Sequence, residues 1–291
     1  MANFTHIAII GRRNSPHLLE HVTRLANFLQ QTGCVVYVDS NLADEIDCSA
    51  CKIGELSQWV SLIDLAIIVG GDGTMLSAGR ELVNHNIPII GVNQGRLGFM
   101  TDIAIDDMLS VIQEILIKRN YIHEERSLLS AQVIRCGKFV YQSLALNDIV
   151  ISRGAIGSMI EFEMSINNEF VHSQKSDGVI FSTPTGSTAY SLAAGGPILH
   201  PCSNVFSIVP ICPQSMSNRP LVISDNLIIE LILVKDTPTI IHYDGQDYFD
   251  LQLGDQIIIT KAKRPLKLLH PGSYNYYRTL RTKLDWAKRV S

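Results

Sequence analysis

Four short stretches of this 291-residue chain hold residue types suited to chemistry rather than packing. In Gly70-Gly71-Asp72-Gly73-Thr74 the apolar run Ile67-Ile68-Val69 breaks into three glycines around one acid. Glycines let backbone amides approach a polyanion closely, and a helix starting just after them points N–H groups and its positive dipole end at that ion. A carboxylate among such amides would repel phosphate if phosphate binding were the whole purpose. Asp72 is therefore read either as a metal partner or as a base acting on a hydroxyl, with an ordinary Gly-Asp-Gly turn as the plain alternative.

The second stretch is Leu146-Asn147-Asp148-Ile149, a carboxamide beside a carboxylate where an apolar strand begins. Adjacent strand residues face opposite ways, so the two are not expected to be buried together. An Asn reads adenine edges and a carboxylate accepts both hydroxyls of a ribose; a turn at a strand start is the alternative. The third runs from Ser176-Asp177-Gly178 through Thr183-Pro184-Thr185-Gly186-Ser187-Thr188-Ala189-Tyr190-Ser191-Leu192-Ala193 to Gly195-Gly196-Pro197. This density of hydroxyls and small residues after a strand suits a polar ligand lying against backbone. The fourth, Tyr243-Asp244-Gly245-Gln246, reads first as a tight hairpin, with Gln246 as a candidate ligand contact.

The elements that must position these residues fall into two patterns. Up to about residue 120, short apolar strands (5–10, 34–38, 65–69, 88–92) alternate with amphipathic helices, one carrying Leu18, Val22, Leu25 and Leu29 on one face and another following Asp72. Such alternation predicts a Rossmann-like open parallel sheet with ligands at the carboxyl ends of its strands, where the glycine loop and Asn93-Gln94-Gly95-Arg96-Leu97-Gly98-Phe99 both lie. Residues 39–58 read as a polar, irregular loop, and Asp106 opens a helix to about Arg119. From about residue 121 to 270 the apolar period changes to two, which predicts an all-β sandwich with Asn167-Asn168 at a hairpin turn. A last helix over 273–289, within a 271–291 tail, is expected to fold back onto the first domain.

Composition bounds what these stretches can serve. With 46% hydrophobic and 18% charged residues the chain can bury two medium cores, and its net charge of -4 gives no long-range attraction to nucleic acid or an anionic membrane. The N-terminus runs straight into a strand, without a basic segment followed by an apolar stretch, so a cytoplasmic protein without a membrane span is expected. The six cysteines, among them the lone Cys48-Ser-Ala-Cys51 pair, read as reduced thiols.

Taken in order, Gly70-Gly71-Asp72-Gly73-Thr74, Asn147-Asp148, the run from Thr183 to Ser191 with Gly195-Gly196-Pro197, and Asp244-Gly245-Gln246 resemble the bacterial-type NAD kinases over nearly the whole chain. The resemblance implies an α/β domain plus a β-sandwich, a homodimer or homotetramer, and transfer of the ATP γ-phosphate, with Mg2+ bound to ATP, to the adenosine-ribose 2′-hydroxyl of NAD. Asp72 would then be the base, and the amides of Gly71, Gly73 and Thr74 would hold phosphates. Asn147 and Thr188 would read adenine, Asp148 would hold the ribose, and Tyr190 would pack on the same nucleoside. Asp177 and Ala189 would lie toward the nicotinamide half, with Gln246 nearby; Lys175, Thr185, Ser191, Leu192 and Ala193 complete the nucleotide-binding set. Asp148 stands where many members carry Glu, Lys175 where a relative carries Arg, and Ser158 where one carries an imidazole or guanidinium; Lys keeps the charge but loses the bidentate fork. Two other readings compete. A lipid-hydroxyl kinase shares the glycine loop but predicts an apolar or basic membrane-facing surface, and a non-catalytic dinucleotide sensor would need every feature except Asp72.

Overall fold

The computed structural model describes residues 4–11, 16–45, 48, 50–95, 97–154 and 158–286. Arg96 and the end of the last predicted helix, including Ala287 and Arg289, lie outside them. The chain divides into two compact units, 1–125 with 266–291, and 126–265.

The first unit contains β1 (His6–Gly11), α1 (Pro16–Gln31), β2 (Val35–Asp39), β3 (Lys52–Gly54), α2 (Leu56–Trp59), β4 (Leu65–Val69), α3 (Asp72–Leu82), β5 (Ile89–Asn93), β6 (Ile103–Ala104), α4 (Met108–Leu116) and β7 (Tyr121–Arg126). The second contains β8 (Leu129–Arg135), β9 (Lys138–Ala145), β10 (Asp148–Arg153), β11 (Ile160–Ile166), β12 (Glu169–Ser176), β13 (Gly178–Ser182), α5 (Tyr190–Ala193), β14 (Val205–Ile211), β15 (Leu221–Ser224), β16 (Ile229–Leu233), β17 (Thr239–Tyr243), β18 (Asp247–Leu251) and β19 (Gln256–Lys261). The chain then returns to the first unit as β20 (Leu266–Pro271) and α6 (Tyr276–Lys283).

The first sheet has the order β3-β2-β1-β4-β5-β20-β7, with β6 pairing to β5, and its β1-β2, β1-β4 and β4-β5 pairings are parallel. In α1, Leu18, Val22, Leu25 and Leu29 recur at helical spacing and are all buried against the sheet core, which explains why this stretch is a helix rather than a strand. All five residues of β4 are buried, as a strand covered on both faces must be.

The second unit holds two six-stranded sheets, β15-β14-β13-β10-β17-β18 and β12-β11-β16-β19-β8-β9, whose strands pair antiparallel. One apolar cluster draws on both sheets, joining Ile149, Ile151 and Phe181 of the first with Phe162, Leu231 and Ile257 of the second. Burial of one face of each sheet produces the period-two alternation visible in the sequence. Asn167 and Asn168, at φ of 49° and 65°, make the β11–β12 turn.

Several expectations change. The stretch 39–58 is not a plain loop: a 3-10 turn spans Ser40–Glu45 and β3 pairs in parallel with β2, because three residues are too few to show a period. Leu266–Pro271, placed by periodicity in the sandwich, is a strand of the first sheet, and Tyr121–Arg126 joins the same sheet. Cys48 and Cys51 form a disulfide, with Cα atoms 5.5 Å apart, in place of the reduced pair expected.

Candidate active site

In the first unit the site is built at the carboxyl end of β4. The helix after the glycines starts at Asp72, two residues earlier than the sequence suggests, so Asp72 occupies its first turn and Gly71 its N-cap. Carboxylates are favoured there by the positive end of the helix. Gly71 and Gly73 are exposed, whereas Thr74 is buried and its amide donates to the Gly71 carbonyl at 3.0 Å. Its side chain lies over Gly70, where an added Cβ would come within 2.6 Å of Oγ1, so any larger residue there would force Thr74 to shift.

The Asp72 carboxylate is enclosed by the loop after β5. Oδ2 accepts from the Phe99 amide at 2.8 Å, while Oδ1 accepts from the Met100 and Thr101 amides at 3.2 Å each and from Thr101 Oγ1 at 3.1 Å. Thr101 Oγ1 in turn receives Asn93 Nδ2 at 2.6 Å, and Asn93 Oδ1 receives the Gly95 amide at 2.7 Å. A side chain at Gly98 would meet Asp72 Oδ1 at 2.0 Å, so only glycine lets the loop close over the acid. Oδ1 carries three donors and Oδ2 one, which leaves Oδ2 with acceptor capacity for a further proton. Asn93 and Thr101 had no signal in the sequence beyond the glycine-rich turn between them, because Thr101 meets Asp72 only across 29 positions of chain.

In the second unit, Asn147, Asp148, Val150, Ser152, Ala189, Tyr190, His242, Asp244 and Gly245 line a cavity of about 410 Å³. Alternation along β10 turns Asp148, Val150 and Ser152 to this cavity and Ile149 and Ile151 to the core. Asn147 precedes the strand, so the alternation rule does not reach it and both Asn147 and Asp148 line the cavity, but only Asp148 is buried, as expected of the pair. Their backbone is fixed by the hydroxyl-rich segment: Thr183 donates through Oγ1 to the Leu146 carbonyl at 2.5 Å and through its amide to the Asn147 carbonyl at 2.9 Å. An added Cβ at Gly186 would lie 2.1 Å from the Asn147 carbonyl oxygen. Burial, and then the charge of Asp244, push the Asp148 carboxyl up to about 7.

Half-exposed Tyr190 begins α5 and stands at the mouth of the cavity with Ala189. Thr185, Thr188, Ser191, Leu192 and Ala193 build the segment that carries these two without lining the cavity. Thr185 Oγ1 and Ser191 Oγ are buried with no hydrogen-bond partner, and Thr188 Oγ1 donates to the Thr185 carbonyl at 3.4 Å. Asp177 lies just beyond the far end of the β10–β13 pair, five residue steps and roughly 17 Å along the strand from Asp148, and is ion-paired with Arg153 at 3.4 Å. Lys175, on β12, pairs with Glu161 at 3.2 Å. Gln246 closes the β17–β18 turn by its amide and does not line the cavity. His242 and Asp244 do line it, and sequence reasoning missed both: one sits mid-strand, and the other reads as a turn residue.

Residues 7–121 match the ATP-NAD kinase N-terminal domain, and residues 146–271 match the ATP-NAD kinase C-terminal domain. The chain belongs to the NAD kinase family. Among relatives, it is 46% identical to the NAD kinase of Chromobacterium violaceum over 287 residues, covering 99% of this chain and 98% of that one. It is 45% identical to the NAD kinase of Laribacter hongkongensis with the same coverage. Two solved structures share the fold: an NAD kinase from Archaeoglobus fulgidus in complex with ATP (TM-score 0.75, 25% identity, covering 98% of this chain and 100% of that one) and yeast NADH kinase complexed with NADH (TM-score 0.88, 24% identity, covering 99% and 90%). The four stretches that carry the resemblance, the segment from Thr183 to Ser191 among them, all lie in the matched domains.

Proposed function

We infer that this chain is an ATP-dependent NAD kinase that transfers the γ-phosphoryl group of ATP to the 2′-hydroxyl of the adenosine ribose of NAD, giving NADP. The observation that carries the residue assignments is the cavity in which a carboxamide, a buried carboxylate and an aromatic ring converge, the set a nucleoside needs. In this reading Asn147 takes the adenine edge with Thr188 behind it, Asp148 takes the ribose hydroxyls and Tyr190 packs on the nucleoside. The roughly 17 Å to Asp177 lets the nicotinamide half extend along β10 past Ala189, with Lys175 and Gln246 at its margins. Asp72 Oδ2 takes the proton of the 2′-hydroxyl as the bond to phosphorus forms. Phosphates lie at the exposed start of α3, over Gly71 and Gly73; the Thr74 amide, already bonded to Gly71, serves by holding that turn.

Mg2+ comes with the nucleotide in this reading. Among the described residues no group of three or more His, Cys, Asp or Glu side chains could hold a metal ion, so phosphate oxygens and water would supply its ligands. Calorimetry should show no tight Mg2+ binding to nucleotide-free protein. A homodimer or homotetramer fits the half-exposed Phe139 and Val140 on edge strand β9 and Phe170 and Val171 on edge strand β12, since bare apolar edges invite pairing. A cytoplasmic location belongs to the same reading, and no helix among the described residues is long and apolar enough to cross a membrane. The Cys48–Cys51 disulfide points the other way, because such bonds are rare in reducing compartments.

The deciding experiment is NADP formation from ATP, NAD and Mg2+ by the purified protein, with Asp72→Asn alongside. The expected result is turnover by the wild type and a loss of about 10² to 10⁴-fold in kcat for the variant, with the NAD dissociation constant nearly unchanged. No NADP from the wild type would overturn the activity; a variant within a few-fold of wild type would remove Asp72 as base.

A further inference from the structure

We propose that Asp244 is a positioning residue for nucleoside recognition, its carboxylate clamping the three consecutive amides of residues 146–148 so that Asn147 and Asp148 are aimed into the cavity. The proposal rests on the NAD kinase reading of that cavity. Oδ2 of Asp244 accepts from the Leu146 amide at 2.9 Å, and Oδ1 accepts from the Asn147 amide at 2.7 Å and the Asp148 amide at 3.1 Å. The Asp244 amide donates back to the Asp148 carbonyl at 2.9 Å.

The hairpin alone does not call for a carboxylate. Asp244 and Gly245, at φ of 54° and 63°, are the central residues of a turn that Asn-Gly or Gly-Gly would make equally well. An Asn offers one oxygen, whereas three converging N–H groups need the acceptor capacity of two. Thr183 grips the carbonyls of Leu146 and Asn147 from the other side, so both the donors and the acceptors of this short segment are fixed. Leu146 and Asn147 lie before β10 begins, outside the ladder that would otherwise hold them.

Placing this carboxylate beside buried Asp148 has an electrostatic consequence that an apolar or amide residue would avoid. The charge of Asp244 adds to burial in raising the Asp148 carboxyl, so the group that receives the ribose hydroxyls is only partly ionised near neutral pH. The other titratable groups lining the cavity are His242, from β17, and Tyr190, from α5. Asp244 thus couples aim to charge: removing it loosens the turn and lets Asp148 ionise at lower pH.

The test is the dissociation constant for NAD, without ATP, from pH 5.5 to 9 for the wild type, Asp244→Asn and Asp148→Asn, with kcat at saturating NAD beside it. Asp244→Asn should bind NAD at least ten-fold more weakly at pH 8.5, where Asp148 is ionised in both proteins, with kcat reduced by less than three-fold. Its pH step should lie at least half a unit below that of the wild type. Asp148→Asn should bind weakly without that step. An Asp244→Asn protein that binds NAD within two-fold of wild type with an unmoved midpoint would overturn the proposal. Should that variant not fold, amide hydrogen exchange on the wild type decides: protection at residues 146–148 supports the clamp, and rapid exchange there refutes it. A wild type that does not bind NAD would sink the kinase reading itself.

Discussion

Replacing Asp148 by Asn should stabilise the nucleotide-free protein, and increasingly so as the pH rises. Asp148 is 6% exposed, and its carboxyl is raised from an ordinary 3.8 to about 7, first by burial and then by Asp244. A carboxyl raised on folding favours the protonated native state, so its contribution is intact below the unfolded value and is lost as pH rises through the folded one. A shift of about three units corresponds to about 4 kcal/mol between acid and alkaline limits, at 1.36 kcal/mol per unit. Between pH 5 and 7 the wild type should therefore lose about 2 to 3 kcal/mol that Asp148→Asn keeps, since the amide has nothing to ionise. Urea unfolding at half-unit pH intervals measures this, and subtracting the two curves cancels every other titrating group. Curves that stay parallel from pH 5 to 9 would refute the reasoning. The variant should also bind NAD poorly, which makes Asp148 a residue whose function opposes stability.

Two further outcomes follow from the same geometry. Gly98→Ala would push a methyl into Asp72 Oδ1, so it should cut kcat by at least ten-fold and lower stability by about 1 to 3 kcal/mol through the four hydrogen bonds it disturbs; kinetics and thermal unfolding together check it. Tyr190→Ala should raise KM for NAD much more than it lowers kcat, because packing on a nucleoside acts equally in ground and transition states; an unchanged KM would remove Tyr190 from the site.

The sequence carried those parts of the molecule that follow from periodicity or from scarce residue types. The spacing of Leu18, Val22, Leu25 and Leu29 showed α1, and the change to period two after residue 121 showed the sandwich. Asp72, Asn147 and Asp148 stood out because polar groups interrupt apolar runs there. What stayed hidden was made by partners distant in sequence. Nothing local marks Thr101 as the hydroxyl on Asp72, 29 positions away, or Asp244 as the acceptor for Leu146, 98 positions away. Asp244 was masked further by the tight turn it also makes. His242 reads as any residue of a strand, and β3, with three residues, is too short for a pattern.

The strand order of the first sheet bears on how the chain is made. β20 occupies the slot between β5 and β7, yet it leaves the ribosome last of the three, after the whole sandwich. Until residue 271 has emerged, β6 covers only Val92 and Asn93 of β5, the strand is open around Ile89 where β20 belongs, and β7 has no place to dock, while residues 126–265 already carry every strand of both their sheets. A nascent chain should therefore complete its second unit before its first, against the usual order of synthesis, and the unpaired edge of β5 is the stretch most exposed to mispairing while the ribosome finishes.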